Sequence, residues 1–174
     1  SEKIDVKICL AGSHATSYPE EILNNYKGID YIFQGEYESH FLEFCQSLRD
    51  KDFQRIESLK SIAFKKENGT IYKGEKGLIS NLDSLPYPAW SYFPQSGLNT
   101  WDYYWDNICQ NKPAAQMHSS RGCPFRCDFC VWIQVMYDNS SHRSFSAKRI
   151  VDEMEELKRQ FGIKEIYFDD DILT

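Results

Sequence analysis

The stretch Ala114 to Cys130, AAQMHSSRGCPFRCDFC, decides how this chain is read. Ala114 to His118 is short and moderately apolar, the pattern of a strand. It runs through Ser119–Gly122 into Cys123, Cys127 and Cys130, spaced C-x-x-x-C-x-x-C. Thiolates are soft ligands that suit iron–sulfur clusters and zinc. A short loop brings several of them to one point with little loss of chain entropy. Three such ligands leave one corner of a four-iron cluster without a protein ligand. An open corner is a place for a substrate or cofactor, so the pattern points to chemistry more than to structural stapling.

Downstream, Cys127 to Tyr137 is apolar and aromatic and is expected to cover the cysteine site. Ser146 is placed to cap a helix. In that helix Ile150, Val151, Met154, Leu157 and Phe161 form one apolar stripe, and Gly162 is its stop signal. Ile166–Phe168 is a further strand and runs into Asp169, Asp170 and Asp171. Strand, loop, helix, strand is one β/α/β unit. The cysteines and the aspartates then lie at the carboxyl ends of neighbouring parallel strands, the active face of a β/α barrel.

Upstream, Val6 to Ala11 reads as a buried strand ending in the turn Gly12-Ser13. Pro19 opens a short helix, PEEILNNY, with acidic residues in its first turn. Tyr31–Phe33 is a second strand, ending in Gly35-Glu36, and Glu38 to Lys51 is helical with Phe41, Leu42, Cys45 and Leu48 at helical spacing. Strand–helix–strand–helix implies parallel α/β packing, in which ligands bind beyond the carboxyl ends of strands. The loops Gly12–Thr16 and Gly35–Tyr37 sit there. Taken alone, His14 reads as polar surface and Gly12 as a turn requirement. Ile62–Lys66 and Thr70–Lys73 flank Glu67-Asn68-Gly69 as a hairpin. Asn81 to Pro94 carries three prolines and reads as a linker over a surface. The aromatics from Trp90 to Trp105 read as packing anchors for that linker, with a pocket lining as the other reading.

The bulk composition of the 174 residues is that of a soluble globular protein. A net charge of −6 argues against a nucleic-acid partner, which calls for a basic face. No apolar run reaches membrane-spanning length. The six cysteines could form three disulfides. The preferred reading is a reducing, cytoplasmic setting, with Cys9, Cys45 and Cys109 as scattered thiols and the other three as metal ligands. The chain begins at Ser1 without a methionine and stops at Thr174 just after a strand, so a piece of a longer protein is expected. Zinc is the main rival metal. A structural zinc site takes four protein ligands. His118 or His142 would be the fourth, but neither stands in a finger spacing, and Phe129 has no use in a zinc knuckle.

C-x-x-x-C-x-aromatic-C after a strand, opening a β/α unit, resembles the radical S-adenosylmethionine (SAM) family. Ser120-Arg-Gly-Cys-Pro-Phe-Arg-Cys-Asp-Phe-Cys130 is similar to the branch with an upstream cobalamin-binding domain. Leu10–Thr16 (LAGSHAT) and Asp30–Glu38 (DYIFQGEYE) resemble the last strands of that domain, and Arg143-Ser144, Ile150–Met154 and Ile166–Asp171 continue the pattern. The resemblance covers most of the chain. It implies an α/β fold: a parallel-sheet, Rossmann-like, cobalamin-binding-like segment, followed by the first β/α units of a partial TIM-type radical SAM barrel. The implied division is 1–80 for the end of the cobalamin-binding-like domain with its hairpin, 81–112 for the linker and 113–174 for the start of the barrel.

The family implies that Cys123, Cys127 and Cys130 hold a 4Fe–4S cluster whose open iron chelates SAM. Reductive cleavage would give a 5′-deoxyadenosyl radical that abstracts hydrogen from an unreactive carbon. Phe129 would lie against the adenine. One or more of Asp169, Asp170 and Asp171 would face the SAM ammonium or ribose; their other reading is a solvated helix start. Gly12, Ser13, His14, Gly35 and Glu36 would belong to the cobalamin side. A small-molecule substrate and an external electron donor such as flavodoxin or ferredoxin are implied, for methyl transfer or carbon-skeleton chemistry. Two alternatives stand beside this: a radical SAM methylthiotransferase without cobalamin, and a zinc-stapled binding module without activity. The chain departs from the family where D-x-H-x-x-G is absent, so no lower-ligand histidine is assigned and His14 does not match one. It also has Ala11-Gly12 where two glycines are common, and only two barrel strands are visible.

Overall fold

The computed structural model describes residues 6–92, 109–137 and 142–172, and, for Ile133, the backbone alone. It is divided into two compact units: Ser1–Ser80 with Pro124–Ser141, and Asn81–Cys123 with His142–Thr174.

The first unit is built on a four-stranded sheet of β1 (Cys9–Leu10), β2 (Tyr31–Phe33), β3 (Ile62–Lys65) and β4 (Ile71–Lys73), in that order. β1 and β2 are parallel, with Cys9 opposite Tyr31. β2–β3 and β3–β4 are antiparallel, so the sheet is mixed, with the parallel pair at one edge. β2 is buried at every position and has a core on each face. Tyr31 and Phe33 pack with Phe44, Ile56, Leu59 and Ile62 on one face; Ile32 packs with Ala15, Ile22, Leu23 and Ala63 on the other.

Four helices cover this sheet: α1 (Ser13–Ser17), α2 (Pro19–Asn25), α3 (Glu38–Asp50) and α4 (Phe53–Ser58). The stretch Gly12–Thr16, expected as a loop, is mostly helix. Gly12 turns the chain at φ 110°, and the Thr16 and Ser17 hydroxyls donate to Gly12 O and Ser13 O one turn back. In α3 the buried face differs from the expected stripe. Phe44 and Ser47 are inside, with Leu48 packed beside them, while Leu42 is 65% exposed and Cys45 is exposed. The core takes the face that holds Phe44, because Phe44 meets Tyr31 and Phe33 edge-on at centroid distances of 4.8 and 5.2 Å. α4 was not foreseen. It starts where Asp52, as N-cap, accepts from Arg55 N, after Lys51 ends α3 in a left-handed conformation.

The second unit holds β5 (Ala114–Met117) parallel to β8 (Glu165–Phe168), with α5 (Ala147–Phe161) between them in sequence. This is the expected β/α/β unit. Ser146 caps α5 by accepting from Arg149 N, and Gly162 ends it at φ 66°. Leu157 is fully buried against Ala115, Met117 and Ile163, flanked by Ile150, Met154 and Phe161. Val151, also in the expected stripe, is 51% exposed. A short antiparallel pair, β6 (Ser120–Arg121) with β7 (Arg143–Ser144), was not anticipated.

Residues 81–92 run along α5. Asp83 accepts from Ser146 N, Arg149 donates to Pro86 O, and Arg149 lies over the Tyr87 and Phe145 rings. Trp90 packs into the Leu157 cluster and donates through its indole N–H to Glu153 at 2.9 Å. For Trp90 the packing reading holds. The aromatics beyond Tyr92, up to Trp105, fall outside the described residues. Among the described residues no helix is long and apolar enough to cross a membrane.

Candidate functional site

The parallel register of β5 and β8 sets Met117 opposite Phe168. Asp169 N then donates to Met117 O at 3.0 Å, so the pairing continues past both strand ends. Two residues beyond each strand lie Ser119 and Asp170. The Asp170 carboxylate, 1% exposed, accepts from Ser119 N at 2.8 Å, Ser119 Oγ at 2.5 Å and Ser120 N at 2.9 Å. His118 Nδ1 stands 3.9 Å from it. Asp171 accepts from Gly122 N at 3.2 Å, and Asp169 accepts from the Gln116 side-chain amide. All three aspartates are thus partners of the strand and loop that lead to Cys123. The parallel pairing of the two strand ends carries the signal for this, since it aligns serine donors with aspartate acceptors.

Gly122 adopts φ 85°, a conformation that glycine takes without strain, immediately before Cys123. Cys123 is half-buried in the second unit. Cys127 and Cys130 belong to the first unit, joined by a tight turn in which Cys130 N donates to Cys127 O at 3.0 Å. The Gln134 side-chain amide donates to Asp128 O at 2.6 Å and to Cys127 O at 3.3 Å, which ties this turn to a π-helical turn at Trp132–Met136. That turn packs against α1. Phe129, between the two cysteines, is 91% exposed, and Phe125, Val131 and Trp132 are exposed as well.

None of the six cysteines is joined in a disulfide. Among the described residues no three His, Cys, Asp or Glu side chains are grouped so as to hold a metal ion. The donor set itself suits a cluster. Three thiols stand on one loop, Cys127 exposed and Cys123 and Cys130 half-buried, and cluster irons take thiolate ligands.

In the first unit the candidate cobalamin-side residues fall into two linked turns. Thr16 joins them: its hydroxyl donates to Gly12 O at 2.8 Å and accepts from Gly35 N at 3.1 Å. Sequence reading passed over Thr16. Ser13 is half-buried, while His14 is exposed with its ring 5.5 Å from that of Tyr18. Gly35 has φ 65°, and a Cβ there would meet Gly77 O at 2.7 Å. Glu36 is 4% exposed, and its carboxylate accepts from Ile79 N at 2.6 Å. Its side chain therefore braces the segment after the hairpin.

No protein-family profile matches the chain. An uncharacterized methyltransferase of Pyrococcus horikoshii is 30% identical over 171 residues, which cover 98% of this chain and 34% of that protein. Cytidylyl-2-hydroxyethylphosphonate methyltransferase of Streptomyces wedmorensis is 26% identical, covering 95% of this chain and 34% of the relative. The anaerobic magnesium-protoporphyrin IX monomethyl ester cyclase of Rubrivivax gelatinosus is 29% identical over 91% of this chain and 27% of its own length. The chain thus spans about a third or less of these curated relatives. Among solved structures, the cobalamin-dependent SAM radical enzyme OxsB, with aqua-cobalamin and SAM bound, superposes with a TM-score of 0.70 at 19% identity. That match covers 94% of this chain and 21% of OxsB. The radical SAM methyltransferase TsrM of Kitasatospora setae gives a TM-score of 0.64 at 17% identity, covering 96% of this chain and 30% of TsrM. Over nearly its whole length, the chain has the fold of part of the cobalamin-dependent radical SAM enzymes: a Rossmann-like α/β segment followed by the opening β/α unit of a barrel.

Proposed function

We propose that this chain is part of a radical SAM enzyme that works with cobalamin, in methyl transfer or carbon-skeleton chemistry on a small-molecule metabolite. The observation that carries the reading is the C-x-x-x-C-x-Phe-C loop leaving the carboxyl end of β5, beside the carboxyl end of the parallel strand β8. The fold likeness to enzymes whose structures hold cobalamin and SAM supports it, as do relatives named methyltransferases and a cyclase.

Under this reading residues 1–80 form the end of the cobalamin-binding-like domain, 81–112 the linker and 113–174 the start of the barrel. Cys123, Cys127 and Cys130 would hold the 4Fe–4S cluster. The cluster and SAM together supply, when bound, a strongly oxidising carbon radical. The protein's part is to bind and orient. Phe129, with its ring exposed, is the candidate adenine contact. Asp169 and Asp171, exposed at the strand end, are the carboxylates proposed toward the SAM ammonium. Gly12, Ser13, His14, Gly35 and Glu36 are the cobalamin-side candidates; the Glu36 carboxylate is itself held by Ile79 N. Flavodoxin or ferredoxin would deliver the electron.

Two titrations test this. Hydroxocobalamin added to the protein should change its visible spectrum and saturate at stoichiometric addition. SAM added to anaerobically reconstituted, reduced protein should be consumed, with methionine released. SAM cleavage without any cobalamin response would point to a radical SAM enzyme that does without cobalamin. No response in either titration would refute the reading.

A further inference from the structure

We propose that Asp170 is a positioning residue: its carboxylate fixes the backbone of Ser119 and Ser120, and so sets the conformation of the chain entering Cys123. The proposal rests on the reading above only in giving that loop a purpose. The geometry stands by itself. Asp170 is the aspartate whose side chain is removed from water, at 1% exposed, whereas Asp169 and Asp171 are exposed residues. A buried carboxylate needs donors for its lone pairs. Asp170 has three, two on Oδ1 from successive amides and one on Oδ2 from the Ser119 hydroxyl. Further contacts extend the clamp along the same loop. Ser120 Oγ donates to Ile172 O at 3.2 Å, and Phe145 N donates to Ser119 O at 2.9 Å. Gly122 then turns at φ 85°, with its N–H on Asp171.

Positioning and direct contact with a cation make opposite demands on this side chain. Asparagine keeps Oδ1, so it can still accept from both amides, and its Nδ2 can donate to the Ser119 hydroxyl once that hydroxyl rotates. It loses the negative charge that an ammonium contact would use. Alanine loses every acceptor and leaves two backbone N–H groups without the partner that orders them.

The test uses the 174-residue chain, reduced and free of iron, as wild type, Asp170→Asn and Asp170→Ala. Hydrogen exchange is followed at the Ser119 and Ser120 amides, together with iodoacetamide alkylation of Cys123 against buried Cys109 as control. Asp170→Ala should speed exchange at both amides about tenfold or more and raise Cys123 alkylation relative to Cys109. Asp170→Asn should restore both to within about threefold of wild type. Unchanged exchange in Asp170→Ala, or an Asp170→Asn variant as open as Asp170→Ala, overturns the proposal. If Asp170→Ala does not fold, Ser119→Ala replaces it. That change removes the Oδ2 donor alone, and it should open the loop measurably but less; no opening overturns the proposal. Iron uptake by the wild type is scored separately. A wild type that takes up no iron while the Asp170 variants behave as expected refutes the cluster reading and leaves the clamp standing.

Discussion

Replacing Gly77 with alanine should cost a substantial part of the stability of the first unit. A Cβ at this position would lie 1.9 Å from Glu36 O and 2.0 Å from Ser61 Oγ. Real Cβ contacts essentially never fall below 3.0 Å, so Glu36 must retreat by more than 1 Å. That movement breaks the Glu36 N to Gly77 O bond at 3.0 Å and strains the bond from Ile79 N to the buried Glu36 carboxylate. Neutral hydrogen bonds contribute about 1 kcal/mol and those to a charge about 1.5–3 kcal/mol. Overpacking adds about 1–3 kcal/mol. A loss of about 3–5 kcal/mol is expected, against about 5–15 kcal/mol for a typical domain. Urea denaturation followed by circular dichroism measures it, with Gly28→Ala as control, since nothing lies within 4 Å of a Cβ there. Adding Ser61→Gly removes the side-chain clash but not the backbone one, so the double variant should recover only a minor part. A Gly77→Ala chain within about 0.5 kcal/mol of wild type, or full rescue by Ser61→Gly, would refute the close packing of Gly77 against Glu36 and Ser61.

Thr16→Val keeps the side-chain shape but leaves the buried Gly35 N–H without its acceptor; a loss of about 1–3 kcal/mol in the same urea assay is expected, and a neutral effect would contradict the link between the two turns. Glu153 gives a pH dependence. Burial pushes its carboxyl up, against the opposing effect of the Trp90 N–H bond. The folded state therefore holds the Glu153 proton more tightly than the unfolded chain does. This contribution to stability is fully present below the unfolded carboxyl range and is lost as pH rises through the raised folded value. Glu153→Gln keeps an acceptor for Trp90 and should abolish that decline. Parallel stability–pH profiles for the two proteins, between about pH 4 and 8, would contradict it.

Where the sequence carries a strong period and clear end signals, the fold was legible. Ser146, the Leu157 stripe and Gly162 mark α5 at both ends, and Glu67-Asn68-Gly69 marks the β3–β4 hairpin. Short elements escaped because one capping residue defines them. Asp52 alone starts the six-residue α4, and hydroxyls bonding one turn back close α1. The face of α3 was misjudged because two overlapping apolar sets share that helix, and contact with Tyr31 and Phe33 decides between them. At the site, the cysteines and aspartates were found by type and spacing. Which aspartate is buried was not, because it depends on the β5–β8 register, which sets Asp170 against Ser119 and leaves Asp169 and Asp171 exposed. Thr16 went unnoticed for a related reason: its two partners are 4 and 19 residues away.

The most direct test of the account is the iron content of the anaerobically reconstituted chain across six single Cys→Ser variants. The account predicts a brown wild type with about four irons per chain. Loss of iron is expected in the Cys123, Cys127 and Cys130 variants, and retention in those of Cys9, Cys45 and Cys109. A colourless wild type carrying a single zinc, or iron lost equally from all six variants, would contradict it.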